Sequence, residues 1–147
     1  MTRQAFLPIL VAVGALAVAA PSVAGAAGPS AWAKSADAIC KQANKDIDAI
    51  AEPKNTKELA SATEKLLAIG IRQTNDLAKL SRPSSDAKEI GTLIGYYNDQ
   101  VSVGKKLLAA VKQGDMKKAQ AIIESGNATG KKVDALVTKL GAKACAG

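Results

Sequence analysis

Four stretches of the chain repeat an apolar residue every three or four positions, the spacing of one face of an α-helix. The first covers about residues 30–50. Its stripe is Trp32, Ala36, Ile39, Ala43, Ile47 and Ile50, and Pro29 stands where a first-turn proline is tolerated. Pro53 and Asn55 end it. The second opens on Asn55-Thr56-Lys57-Glu58, whose first and fourth residues are placed to cap one another's backbone donors. It carries Leu59, Ala62, Leu66, Ile69, Gln73, Leu77 and Leu80 until Arg82-Pro83-Ser84-Ser85 stops it.

The third helix is predicted to start at Ser85 or Asp86 and to bury Ile90, Leu93, Ile94, Tyr97, Val101, Leu108 and Val111. Gly114-Asp115 then sets a glycine stop beside an acidic cap, the chemistry of a tight helix-to-helix turn. The fourth helix keeps heptad spacing through Ala119, Ile123, Gly126, Gly130, Val133, Val137 and Leu140 as far as Gly141. No run alternates apolar and polar residues with period two, so no strand is predicted. Short connections make consecutive helices antiparallel. The expectation is an all-α, up-down-up-down four-helix bundle with both chain ends at one end.

What precedes the first helix reads differently. Arg3 is followed by an apolar run over residues 7–20, then Pro21 and a cluster of small residues. This is the order of a secretory signal, with Ala24-Gly25-Ala26 as the best cleavage site and Ser22-Val23-Ala24 as its rival. A spanning helix needs about 20 apolar residues, and this run is shorter and carries Pro8. The expected division is a cleaved signal over 1–26 and one domain over 27–147, secreted or otherwise extracytoplasmic, with no cysteine at the cleavage site to carry a lipid.

Export decides how the two cysteines are read, because thiols outside the cytoplasm are oxidised and only one pairing exists. Cys40 and Cys145 are expected to form a structural disulfide that closes the bundle. A redox-active pair would more typically show C-x-x-C spacing. Cys40 lies well inside the first helix, so the tail after Gly141 must fold back along the bundle, or the first helix must sit low.

Charge is uneven. Residues 27–99 hold ten basic and ten acidic side chains, whereas residues 100–147 hold nine lysines against Asp115, Glu124 and Asp134. Lys117, Lys118, Lys131, Lys132 and Lys139 occupy the fourth helix's positions farthest from its apolar stripe, and Lys105 and Lys112 flank that of the third. Such a face suits an anionic envelope polymer or a membrane surface. It holds no arginine and no interleaved aromatic residue, which argues against nucleic acid. The plain alternative is a solvated face.

Absent residues narrow the chemistry further. The chain has no histidine, no C-x-x-C-H, no G-x-S-x-G and no phosphate loop ending in Lys-Ser or Lys-Thr. No enzyme and no cofactor is therefore expected. Asp46 and Asp48 point in different directions on a helix and are expected to be solvated. Gly91-x-x-x-Gly95 and Gly126-x-x-x-Gly130 lie outside any 20-residue apolar span and read as close helix packing. Asn127-Ala128-Thr129 matches a glycosylation sequon but falls mid-helix.

Gln73 and Tyr97 stand on otherwise apolar stripes at similar depth, with Gly70, Gly126 and Gly130 in the same layer. One expectation is that Tyr97 fills the space the glycines leave and bonds Gln73, since buried polar groups find partners. The other is a small apolar pocket between helices with two polar anchors.

The Ala38-Ile39-Cys40 segment, the Gly114-Asp115 turn, and Leu140-Gly141 followed by Cys145 form a recurring layout. It resembles small exported or lipid-anchored helical proteins of high-GC bacteria, in which a cysteine near the start of the first helix is matched by one after a closing Leu-Gly. That resemblance implies an exported helical bundle and no activity.

Two functional expectations result. One is a non-enzymatic envelope module binding an anionic partner through the fourth helix. The other is a small-ligand carrier using the layer around Gln73 and Tyr97.

Overall fold

Each helix is bounded by the chemistry its flanking residues supply. The computed structural model describes residues 30–146, so the expected signal segment and Pro29 lie outside the described residues. Ser30 Oγ accepts from the Ala33 amide at 3.1 Å and starts α1 (Ala31–Asp48). Asn55 Oδ1 accepts from the Glu58 amide at 2.9 Å and starts α2 (Thr56–Lys79). The Glu58 carboxylate returns to the Lys54 amide and the Asn55 side chain, so the reciprocal cap is shifted by one residue from the expected box. Asp86 precedes α3 (Ala87–Lys112) without a side-chain cap. Asp115 Oδ1 accepts from the Lys118 amide at 3.0 Å and starts α4 (Met116–Leu140).

Gly114 and Gly141 close α3 and α4 with φ of 72° and 79°, a left-handed conformation that costs other residues about 1–2 kcal/mol. No strand occurs among the described residues.

Consecutive helices pack side by side, α1 on α2, α2 on α3 and α3 on α4, in the expected up-down bundle. Between α4 and α1 the closing element is a short 3-10 turn (Lys143–Cys145) that folds back against α1. The Ala144 amide donates to Asp37 at 2.8 Å and Asn44 donates to the Ala144 carbonyl at 3.2 Å. Cys40 and Cys145 are bonded there, with their Cα atoms 5.1 Å apart.

The core has two parts. The larger surrounds the disulfide and includes Trp32, Leu77, Ile90, Leu93, Tyr97, Val137 and Ala142. Fully burying one such large apolar side chain stabilises by roughly 1.5–3 kcal/mol. The smaller lies at the opposite end, where Ala110, Val111 and Ala119 meet Leu59, Leu107 and Ile122.

The gap between these clusters follows from helix length. α1 has 18 residues against 24, 26 and 25 for the others, which leaves it shorter by about 9–12 Å at ~1.5 Å per residue. Pro53 is the cause, since its ring forbids helix through the preceding turn. The connection 49–55 contributes no side chain to either core cluster. Two stripe residues expected inside are exposed, Ile47 at 40% in the last turn of α1 and Leu66 at 44% on α2.

Candidate functional site

On α2, Leu59, Thr63, Leu66, Gly70 and Leu77 recur along one inward face. At Leu77 that face is covered and the side chain is fully buried, while at Leu66 the cover is missing. α3 presents Tyr97, Gln100, Val101, Gly104 and Leu107 opposite. Between the two helices lies an open-sided cavity of about 210 Å³, walled only by residues of α2 and α3. The helices approach closely at Gly104, where an added Cβ would lie 3.1 Å from Leu67 Cδ1.

The polar groups on this wall are mostly committed. Thr63 and Thr74 hydroxyls each donate at 2.7 Å to the carbonyl four residues earlier, Leu59 and Gly70, which commits their protons within α2. The Gln73 amide donates to Cys40 Sγ at 3.2 Å. Tyr97 donates its hydroxyl to the Cys145 carbonyl at 3.5 Å. Burial, with Asp134 adding to it, pushes the Tyr97 phenol up to about 12. Gln100 alone among the lining side chains offers a side-chain amide without a hydrogen-bond partner among the described residues.

Of the five residues proposed for a pocket, Gly70, Gln73 and Tyr97 line this cavity and Gly126 and Gly130 do not. Gly126 is spent on helix packing, since a Cβ there would lie 3.3 Å from Val103 Cγ1 on α3. Gly130 faces open space, and no atom lies within 4 Å of its built Cβ. The expected Gln73–Tyr97 hydrogen bond is not made, because each side chain is held by a different half of the disulfide. A second hollow of about 300 Å³ lies between α1 and α2, where Ile39 and Ala43 face Arg72 and Asp76.

No family model, curated protein or solved structure matches this chain.

All five lysines expected on the outer face of α4 are exposed, and they divide into two groups. Lys139 donates to Glu89 at 2.9 Å and thereby holds that carboxyl below the usual range, while Lys132 sits 5.5 Å from the Tyr96 ring centroid. Lys117, Lys118 and Lys131 make no side-chain pair among the described residues. Lys112 on α3 pairs with Glu64 of α2 at 3.5 Å.

Asp46 accepts from both Arg72 and Gln42, so it is engaged in an ion pair and a hydrogen bond at the surface. No group of three or more metal-ligating side chains occurs among the described residues. No described helix is long and apolar enough to cross a membrane.

Sequence reasoning named Gly70, Gln73 and Tyr97 but missed Leu66, Gln100, Val101 and Gly104. The signal for them was Pro53, because an early end to the first helix uncovers whatever lies beyond it.

Proposed function

We propose that this chain is an extracytoplasmic, non-enzymatic binding protein that takes a small apolar ligand into the groove between α2 and α3. The observation that carries this reading is Leu66, an inward-stripe residue left 44% exposed beside a cavity of about 210 Å³. Apolar surface held open in this way gains free energy on being covered, at about 25 cal/mol per Å². The disulfide and the secretory order of the first residues support a location outside the cytoplasm.

The test is a titration with an uncharged fluorescent apolar probe such as N-phenyl-1-naphthylamine. A saturable 1:1 enhancement is expected. It should be lost in Gly70→Leu, which fills space where no atom lies within 4 Å of a built Cβ. Enhancement that survives Gly70→Leu in a folded protein rejects the groove as the site.

A second reading rests on the three unpaired lysines. An anionic envelope partner on the α4 face would lose salt-sensitive retention when Lys117, Lys118, Lys131 and Lys132 are reversed to Glu. Unchanged retention removes this reading.

A further inference from the structure

The wall of the groove between α2 and α3 is uncharged, and its polar groups are unevenly distributed. No lining side chain carries a charge, whereas the hollow between α1 and α2 brings in Arg72 and Asp76. Closing a charged ligand group against such a wall costs the hydration of that group and supplies no counter-charge in return. Burial, and after it the charge of Asp134, pushes the Tyr97 phenol up to about 12, and that same charge opposes an anionic head beside Tyr97.

Along α2 the lining runs from Thr63 to Thr74, about 16 Å at the helical rise, and the cavity volume over that length is about 210 Å³. Those dimensions suit a single chain better than a fused ring. The antiparallel helices cross closely where Gly104 meets Leu67. Seven residues from that crossing on each helix, Thr74 and Tyr97 come level, and both line the cavity together with Gln73 and Gln100. Nearer the crossing the wall is Leu66, Val101 and Leu107. Thr63 lies at the opposite end, with no second polar side chain beside it on the wall.

What each polar group still offers sets the head of the ligand. The Thr74 hydroxyl gives its proton to the Gly70 carbonyl at 2.7 Å, so its oxygen is left only to accept. The Gln100 amide has no hydrogen-bond partner among the described residues and is free to donate. One acceptor and one donor, on facing helices and about a turn apart, match a hydroxyl, which donates and accepts at once. A carboxylate only accepts, and an ammonium only donates. We propose that the ligand is an uncharged single-chain alcohol, its hydroxyl bonded to Thr74 and Gln100 and its chain laid along Leu66, Val101 and Leu107. This rests on the groove reading above and adds the head group to it.

The experiment is isothermal titration of the oxidised protein with three probes. These are octan-1-ol, its isomer 1-methoxyheptane, which keeps the oxygen but has no proton to donate, and octanoate. Octan-1-ol is expected to bind 1:1 and about fivefold more tightly than the ether, the scale of one neutral hydrogen bond. Octanoate should bind more weakly than octan-1-ol. Thr74→Val should erase the preference for the alcohol over the ether, and Gln100→Leu should weaken octan-1-ol by a similar factor. Thr92→Val, which removes the same kind of hydroxyl-to-carbonyl bond outside the groove, should leave all three affinities unchanged. Gly70→Leu should remove binding of every probe.

Equal affinity for octan-1-ol and its isomer overturns the hydroxyl head and leaves the groove standing. Tighter binding of octanoate than of octan-1-ol does the same. A preference that persists in folded Thr74→Val puts the head elsewhere and overturns the assignment; should that variant not fold, unchanged octan-1-ol affinity in Gln100→Leu overturns it instead. Binding of none of the three probes overturns the groove reading and this inference with it.

Discussion

Gln73 reaches from α2 to place its amide nitrogen 3.2 Å from the sulfur of Cys40 on α1. Tyr97 on α3 completes the arrangement by donating to the carbonyl of Cys145. Two polar side chains at similar depth thus hold opposite halves of one cross-link. The upper part of the bundle is closed around this knot, and the groove begins directly beside it.

The cross-link spans 105 positions, so it removes much freedom from the unfolded chain. Replacing both Cys40 and Cys145 by Ala should lower stability by about 2–5 kcal/mol, read as a shift in the guanidinium midpoint. Amides of the tail that bears Ala142 and Cys145 should lose hydrogen-exchange protection before those of α3. Simultaneous loss across all four helices would show that the disulfide does not act through the tail.

Leu66 and Leu77 share a stripe but not an environment, being 44% and 0% exposed. Leu77→Ala should cost about 2–5 kcal/mol, the range for a filled core site. Leu66→Ala should cost no more than about 1 kcal/mol, because much of its surface already meets water. Urea unfolding of both variants decides the matter, and comparable losses would mean that the groove is closed in solution.

Gly114 is required by its backbone conformation, whereas Gly95 is not. An added Cβ at Gly95 meets nothing within 4 Å, so Gly95→Ala gains helix propensity without a clash. It should raise the melting temperature by about 2–4 °C. Gly114 has a φ of 72°, and Gly114→Ala should lower stability by about 1–2 kcal/mol. Calorimetry of the pair should show shifts of opposite sign.

Because burial and Asp134 raise the Tyr97 phenol to about 12, the folded state keeps this proton where an unfolded tyrosine, near 10, has lost it. The stabilisation is complete below pH ~10 and is lost as pH rises from about 10 to 12. Over that window stability should fall by about 2–3 kcal/mol. Tyr97→Phe should flatten the decline. A wild-type curve no steeper than the variant's would assign the alkaline loss to other groups.

Much of the architecture is legible in the order of residues alone. Asn55, Asp115, Gly114 and Gly141 act at the helix ends as their chemistry demands, and the two cysteines allow one pairing. The glycine layer is legible only in part. Gly70 opens on the cavity as expected, whereas Gly126 is consumed by Val103 in a contact that no spacing rule distinguishes.

Caps, stops and stripes depend on residues within a few positions of each other, so a linear reading can resolve them. How far each helix extends relative to its neighbours, and which polar group meets which, depends on side chains packing across long separations. A slip of one residue moves a helix by about 1.5 Å and turns it by ~100°, enough to exchange the partner of Tyr97 or to bury Leu66. Pro53 marks a break in the linear sequence. That the break uncovers an apolar groove is decided only by the tertiary structure, in which α2 and α3 run on past the end of α1.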